Sequence, residues 1–406
     1  MEKEIFSHFK KTILTNSAIV SFRYVVVAAV GLALSVAFAR LSTKEIFGQY
    51  QFILALFSFF AVFSLPGLNL AALKSASRGE FGTVSQAVRL SFFGGIIAVP
   101  LLAGYGVHTL LADGTNVLVG WACIIFGLLF PFLNAPNTWY VYYEGRLHFS
   151  PVVIRVIGSS VLTALLLFLG LWNQVDVLFL VGIWFFTSIF CTWFFYWEVL
   201  QEERKNKNEP GKLDVQYGIR VTIQKFVVGL TENIPVLAIA FFLSFEAVAN
   251  FQVAFMFVAA VSGLLGALTA MAFPVIFSNL NSRHSKLLLY SVLSGLSASL
   301  GYVLLVETSF LFVYGDKYHE SFELARLFVI LPFLVSLRMY FVNIFTARGE
   351  NTHIIFTYIV ANIVSAVLFW ISTRSGVSFA WSVALYVYSL NLQLLLTFAL
   401  RYYRLK

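Results

Sequence analysis

Twelve stretches of this chain are apolar for long enough to cross a bilayer. Spanning about 30 Å at 1.5 Å per residue takes roughly 20 helical residues. The first six stretches are Ser17–Ala39, Phe47–Leu73, Ala87–Leu110, Val117–Tyr142, Pro151–Leu171 and Val177–Leu200. The second six are Ile219–Leu243, Ala247–Phe277, Leu287–Val306, Glu323–Thr346, Ile354–Thr373 and Phe379–Leu400. The second and eighth are longer than a straight span requires, which predicts tilt or a bend. The pattern predicts an all-α integral membrane protein of about twelve helices.

Composition changes the picture little. Hydrophobic residues make up 60% of the 406 and charged residues 11%, where soluble domains carry about a quarter charged. The run Ser17–Ala39 is too long for a signal core and Arg23 interrupts it, so it reads as a first transmembrane helix. Cys123 and Cys191 both fall inside apolar runs. They offer no disulfide framework, and no ligand spacing or cofactor motif stands out.

Charge placement sets an orientation. With the N-terminus inside, inner segments and helix ends hold 19 of the 27 Lys and Arg residues. The outer loops hold four, Arg40, Lys44, Lys317 and Arg374, and the spans hold Arg23, Lys225, Arg326 and Arg338. That bias predicts an even number of helices with both termini cytoplasmic. The net charge of +8 is thus a topology signal, with attraction to membrane lipid headgroups as a further consequence. No basic face alternates with exposed aromatics, so nucleic acid is not an expected partner.

The longest polar stretch, Gln201–Gly218, lies near the midpoint and reads as a solvated cytoplasmic linker. It separates an N-terminal six-helix lobe, 1–200, from a C-terminal one, 219–406. Residues 1–15 read as an amphipathic segment with Ile5, Phe6, Phe9 and Ile13 on one side. The halves echo each other. Leu41-Ser42-Thr43-Lys44-Glu45 and Tyr50-Gln51 return as Leu243-Ser244-Phe245-Glu246 and Phe251-Gln252, offset by 201. Gly145 and His148 return as Gly349 and His353, offset by 204 and 205. Halves of six helices each imply a parallel repeat about an axis along the membrane normal, with a central cavity between the lobes.

Two segments carry a family resemblance. One is Ala39-Arg40-Leu41-Ser42, followed by Glu45 and Phe47-Gly48-Gln49-Tyr50. The other runs from Leu311 through Tyr314-Gly315-Asp316-Lys317-Tyr318 to Ser321. They resemble the turns of Wzx-type polysaccharide flippases, from the superfamily that also holds MATE exporters and lipid II flippases. The resemblance covers the whole chain. It implies ion-coupled, alternating-access movement of an undecaprenyl-diphosphate-linked oligosaccharide across the bacterial cytoplasmic (inner) membrane. The product would be O-antigen, capsule or exopolysaccharide. Partners would include the polysaccharide polymerase and glycosyltransferases of the same pathway.

A diphosphate crossing a low-dielectric core needs cations placed there, and ionised residues in a membrane are costly and usually functional or paired. Arg23 lies about 9 Å into the first span, either as a diphosphate contact or snorkelling to the headgroups. Lys225 is similarly shallow in the seventh. Arg338 is the deepest arginine, expected to hold the substrate further in. Glu232 falls near the midplane, either as a proton or sodium coupling site or paired with Arg338. Asn69 and Asn343, among seven span asparagines, could bond sugars or bind neighbouring helices. Pro66 and six other span prolines predict kinks. Two other classes stay open: a MATE-like ion-coupled exporter of small molecules, and a membrane polymerase or glycosyltransferase. The exporter would favour acidic residues in its cavity. The enzyme would carry a large outer loop, whereas the longest here, Glu307–Phe322, has 16 residues.

Overall fold

The computed structural model describes residues 2–80, 82–112, 116–205, 211–278, 285–347 and 350–404. These residues form sixteen α-helices joined by short turns and 3-10 segments. They are α1 (Glu2–Leu41), α2 (Lys44–Phe60), α3 (Leu68–Ala76), α4 (Thr83–Ile96), α5 (Ala98–Ala112), α6 (Val117–Asn134), α7 (Trp139–Glu144) and α8 (Phe149–Trp172). They continue as α9 (Val177–Lys205), α10 (Val215–Phe242), α11 (Phe245–Ser278), α12 (Ser285–Tyr314), α13 (His319–Leu327), α14 (Leu331–Ala347), α15 (Asn351–Arg374) and α16 (Phe379–Arg404). Several join end to end. Among the described residues, eleven segments are long and apolar enough to cross a membrane, and the stretch Phe245–Val261 of α11 is a shorter apolar one. The fold is therefore an all-α membrane fold of about twelve spans. Phe241 is 83% exposed and Phe312 82%, faces that water would not tolerate on this scale and lipid does.

Two expectations change. The outer loop expected over Glu307–Phe322 is mostly helix, because α12 runs on to Tyr314 and α13 begins at His319. Thr308 and Ser309 turn their hydroxyls back onto the carbonyls of Leu304 and Leu305, at 2.6 and 2.5 Å, so the polar pair does not stop the helix. The linker is only partly solvated. Leu213 is 4% exposed and packs with Leu68, Ala71, Ala72 and Ala87. Gln86 pins it by donating to the Gly211 carbonyl at 2.8 Å and accepting from the Leu213 N–H at 3.2 Å. At the N-terminus the backbone of 2–18 continues α1, and the side chains of the expected amphipathic face lie outside the described residues.

The chain divides into two compact units, Met1–Gly48 with Ile234–Lys406, and Gln49–Asn233. The boundaries fall inside α2 and α10. In the 49–233 unit the core is aromatic: Phe57 meets Phe130 and Phe185 at 5.9 and 5.5 Å, and Phe126 meets Phe185 at 5.1 Å.

In the other unit α1 packs on α11, and the turns after α1 and α12 clasp each other. Arg40 donates through Nε to the Val313 carbonyl at 2.7 Å, and through Nη2 to that of Phe312. Lys317 returns the contact on the carbonyls of Ala39, at 3.3 Å, and Ser42. Each cation thus sits on carbonyls at the other helix's C-terminal end, where the macrodipole favours it. Ser35 and Tyr314 share a hydroxyl hydrogen bond at 2.8 Å beneath the clasp. Gly48 approaches the Phe245 backbone so closely that an added Cβ would lie 1.7 Å from its carbonyl oxygen. The two turns that echo each other in sequence therefore lie side by side.

Candidate functional site

The second predicted span does not run straight. α2 ends at Phe60, a 3-10 turn covers Ala61–Ser64, and α3 restarts at Leu68. Pro66 has no N–H to continue the helix, and Leu65 before it adopts φ 50°, ψ 56°. A left-handed leucine costs about 1–2 kcal/mol, so the neighbours must hold it. They do so through close backbone approach. Phe63 presses its carbonyl on Gly94, where a Cβ would sit 2.2 Å away, and Gly67 faces the Gly218 carbonyl at 2.1 Å by the same measure. The Gly67 N–H donates to Thr222 Oγ1 at 2.9 Å, and that hydroxyl donates to Gly218 at 2.9 Å. Lys225, one turn further along α10, donates from Nζ to the Pro66 carbonyl at 3.3 Å. Ser64 is 3% exposed and its hydroxyl has no partner among the described residues.

Asn69 lies three residues past Pro66. It accepts from Thr138 Oγ1 at 2.8 Å and donates to Tyr140 Oη at 3.4 Å. The amide thus ties α3 to the region where the fourth span passes through the 3-10 turn Ala135–Thr138 into α7. Lys225 and Asn69 flank one broken segment. Irregular backbone at membrane depth persists only where protein or a hydrated cavity covers its polar groups, and such breaks are the preferred binding elements of transporters. The long second run and Pro66 were the sequence signal for this site; the left-handed Leu65 had none. A second interruption is neutralised locally: Pro136 leaves the Phe132 carbonyl without its helical donor, and Trp193 Nε1 supplies one at 2.9 Å.

The remaining candidates are sorted by their partners. Arg338 donates from Nη1 to Asn391 Oδ1 at 3.1 Å, and Asn391, 3% exposed, anchors itself to the Val387 carbonyl at 2.8 Å. This partner is a neutral amide. Arg326 is different: its Nε and Nη2 both reach Glu307, at 2.7 Å each. Its charge is matched, which lowers by one the excess of span cations expected from sequence, where Glu307 had been assigned to a loop. Arg23 is half-buried with its guanidinium 5.2 Å from the Tyr24 ring centroid. Asn343 is half-buried and has no hydrogen-bond partner among the described residues. Glu232 is exposed on α10 with no ion-pair partner among the described residues. Lys225, Asn69 and Glu232 fall in the 49–233 unit, and Arg23, Arg338 and Asn343 in the other.

The helix in the tenth span is also interrupted, at Phe328–Ile330, and its polar groups are well covered. Tyr302 donates to the Ala325 carbonyl at 2.8 Å, Tyr388 donates to that of Leu327, and Ser299 Oγ accepts from the Phe333 N–H at 3.2 Å. Neutral side chains suffice there, whereas the break after α2 holds a lysine.

Residues 13–280 match a protein family described as polysaccharide biosynthesis protein. This chain belongs to that family. No curated protein matches its sequence. Among solved structures this family member is similar to an inward-facing multidrug resistance MATE transporter of the MOP superfamily, at TM-score 0.69 and 13% identity, covering 97% of both chains. A eukaryotic MATE transporter, AtDTX14, aligns at TM-score 0.63 and 10% identity over 96% of this chain and 95% of its own. A MOP superfamily transporter from Pyrococcus furiosus aligns at TM-score 0.64 and 14% identity, over 96% and 95%. At these identities the likeness establishes the fold, which is that of the MATE transporters.

Proposed function

We propose that this protein is a flippase that carries an undecaprenyl-diphosphate-linked oligosaccharide across the bacterial cytoplasmic membrane, driven by an ion gradient, with both termini cytoplasmic. It breaks and makes no covalent bonds. The observation that carries this reading is a polysaccharide-biosynthesis sequence on a transporter fold. Side-chain chemistry supports it. Lys225 and Arg338 rest on a carbonyl and an amide, which orient the cations without cancelling them. In a low-dielectric setting an uncancelled charge is worth several kcal/mol to an incoming anion. Arg23, Lys225 and Arg338 are assigned to the diphosphate, Asn69 and Asn343 to the sugars, and Glu232 to ion coupling.

The test is surface-polysaccharide display in a flippase-null strain, with membrane abundance measured for every variant. Arg23→Ala and Arg338→Ala should each lose most display at normal abundance, while Arg23→Lys keeps part of it. Full display by both alanine variants would refute the assignment. A MATE-like exporter of small molecules is favoured by the fold alone. It predicts no rescue of display, with raised drug tolerance instead.

A further inference from the structure

Where α15 begins and α16 ends, a cavity of about 490 Å³ is lined by Glu350, Thr352, His353, Phe356 and Arg401. It lies within one unit, and none of the residues assigned above lines it. Its walls are rich in donors. Arg401 spends Nε on Glu350 Oε2 at 3.1 Å and has no further partner among the described residues. His353 holds its ring against Phe345 and Phe398, centroids 5.7 and 6.1 Å away. Its Nε2 has no accessible surface and no hydrogen-bond partner among the described residues. A polar atom buried without a partner carries a desolvation cost, which a ligand in the cavity recovers when the ring turns to present Nε2 to it. The backbone adds to this. Glu350 sits at the N-cap of α15 but its carboxylate makes no cap bond, being turned to Arg401. The first N–H with a helical acceptor is that of Ile354, on the Glu350 carbonyl at 3.2 Å. Among the described residues the Thr352 and His353 N–H groups find no acceptor, the usual position of first-turn donors. Guanidinium, imidazole, the Thr352 hydroxyl and a helix N-terminus around one cavity match a phosphate group.

An apolar track leads away from that cavity. Phe356, Val360, Ile363, Val367 and Trp370 follow at spacings of four, three, four and three, so they form one stripe along α15. They are 68, 41, 59, 49 and 45% exposed. From Phe356 to Trp370 the helix rises about 21 Å, more than the half-thickness of a hydrocarbon core, about 15 Å. A donor-rich mouth at a span's end and a hydrocarbon-length stripe starting in it are complementary to one kind of molecule. We propose that this is a binding site for a phosphate-headed membrane lipid. The phosphate sits between Arg401, His353 and Thr352, and one acyl chain lies along the α15 stripe. Glu350 keeps Arg401 in place when the site is empty and competes with the phosphate for it.

This competition makes the site testable with the full-length protein in detergent. Native mass spectrometry would measure phosphatidylglycerol binding, with a thermal midpoint recorded for each variant. Replacing both Arg401 and His353 by Ala should weaken binding at least about tenfold, since the charge-assisted donors to the phosphate are lost. Glu350→Gln breaks the same ion pair but removes the competing charge, so it should tighten binding. Phe356→Asp should weaken it. Diacylglycerol, with the chains and no phosphate, should not compete, and millimolar inorganic phosphate should compete only weakly. Unchanged binding in the Arg401/His353 double variant overturns the proposal. So does equal loss in that variant and Glu350→Gln, which marks the pair as structural. Full displacement by inorganic phosphate would make it a free-anion site and overturn the lipid assignment.

Discussion

A cation inside a membrane is defined by its partner. Arg326 and Arg338 lie twelve residues apart in one span, yet Arg326 meets a carboxylate and Arg338 an amide. Only the second keeps a charge that no carboxylate cancels. Glu232 is the converse, a carboxylate exposed on α10 with no cation beside it among the described residues. A carboxylate without a counter-charge is free to take a transported cation, the role proposed for it. Glu232→Gln should therefore impair ion-driven display while leaving membrane abundance and the binding of lipid-linked substrate near normal. Parallel assays of display and of substrate retained by purified protein check this. Loss of abundance instead of activity would mean that Glu232 serves folding.

At the scale of helices, the break between α2 and α3 is held by α10. Thr222 is 2% exposed and accepts the Gly67 N–H that Pro66 and the left-handed Leu65 have taken out of the helix. Thr222→Val keeps the volume and removes the acceptor. A buried donor left without a partner costs about 1–3 kcal/mol, so the thermal midpoint in detergent should fall, and transport should fall with it if the broken segment must keep its shape. An unchanged midpoint would mean that water replaces the hydroxyl. The Arg40–Lys317 clasp works at the same scale. The segments that carried the family resemblance are joined by it, so what the resemblance registers there is the way α1 and α12 end.

For the whole molecule, the charge bias predicts that the linker after α9 faces the cytoplasm. In a protein lacking Cys123 and Cys191, a single cysteine in place of Lys207 should react with a membrane-impermeant thiol reagent only after the inner face is opened. Labelling from outside would reverse the orientation and, with it, the side proposed for substrate entry. The echo between halves has a physical counterpart within one unit, where Gly48 touches the Phe245 backbone.

Much of this was legible in the chain itself, for a local reason. Apolar length is a property of consecutive residues, so the apolar runs became helical, some of them broken or extended, and Arg23, Lys225 and Arg338 stood out as charges within them. The long second run with Pro66 announced a bend. Tertiary structure decided whatever depends on residues far apart in sequence. Leu65 is left-handed because α4 and α10 press on the backbone around it. Glu307 neutralises Arg326 because α12 outlasts its apolar run by eight residues, through hydroxyls turned back onto their own helix. The donors around His353 converge because the start of α15 lies against the end of α16. Hydrophobicity selects the solvent of a segment, but the partner of a buried charge is chosen only when helices pack.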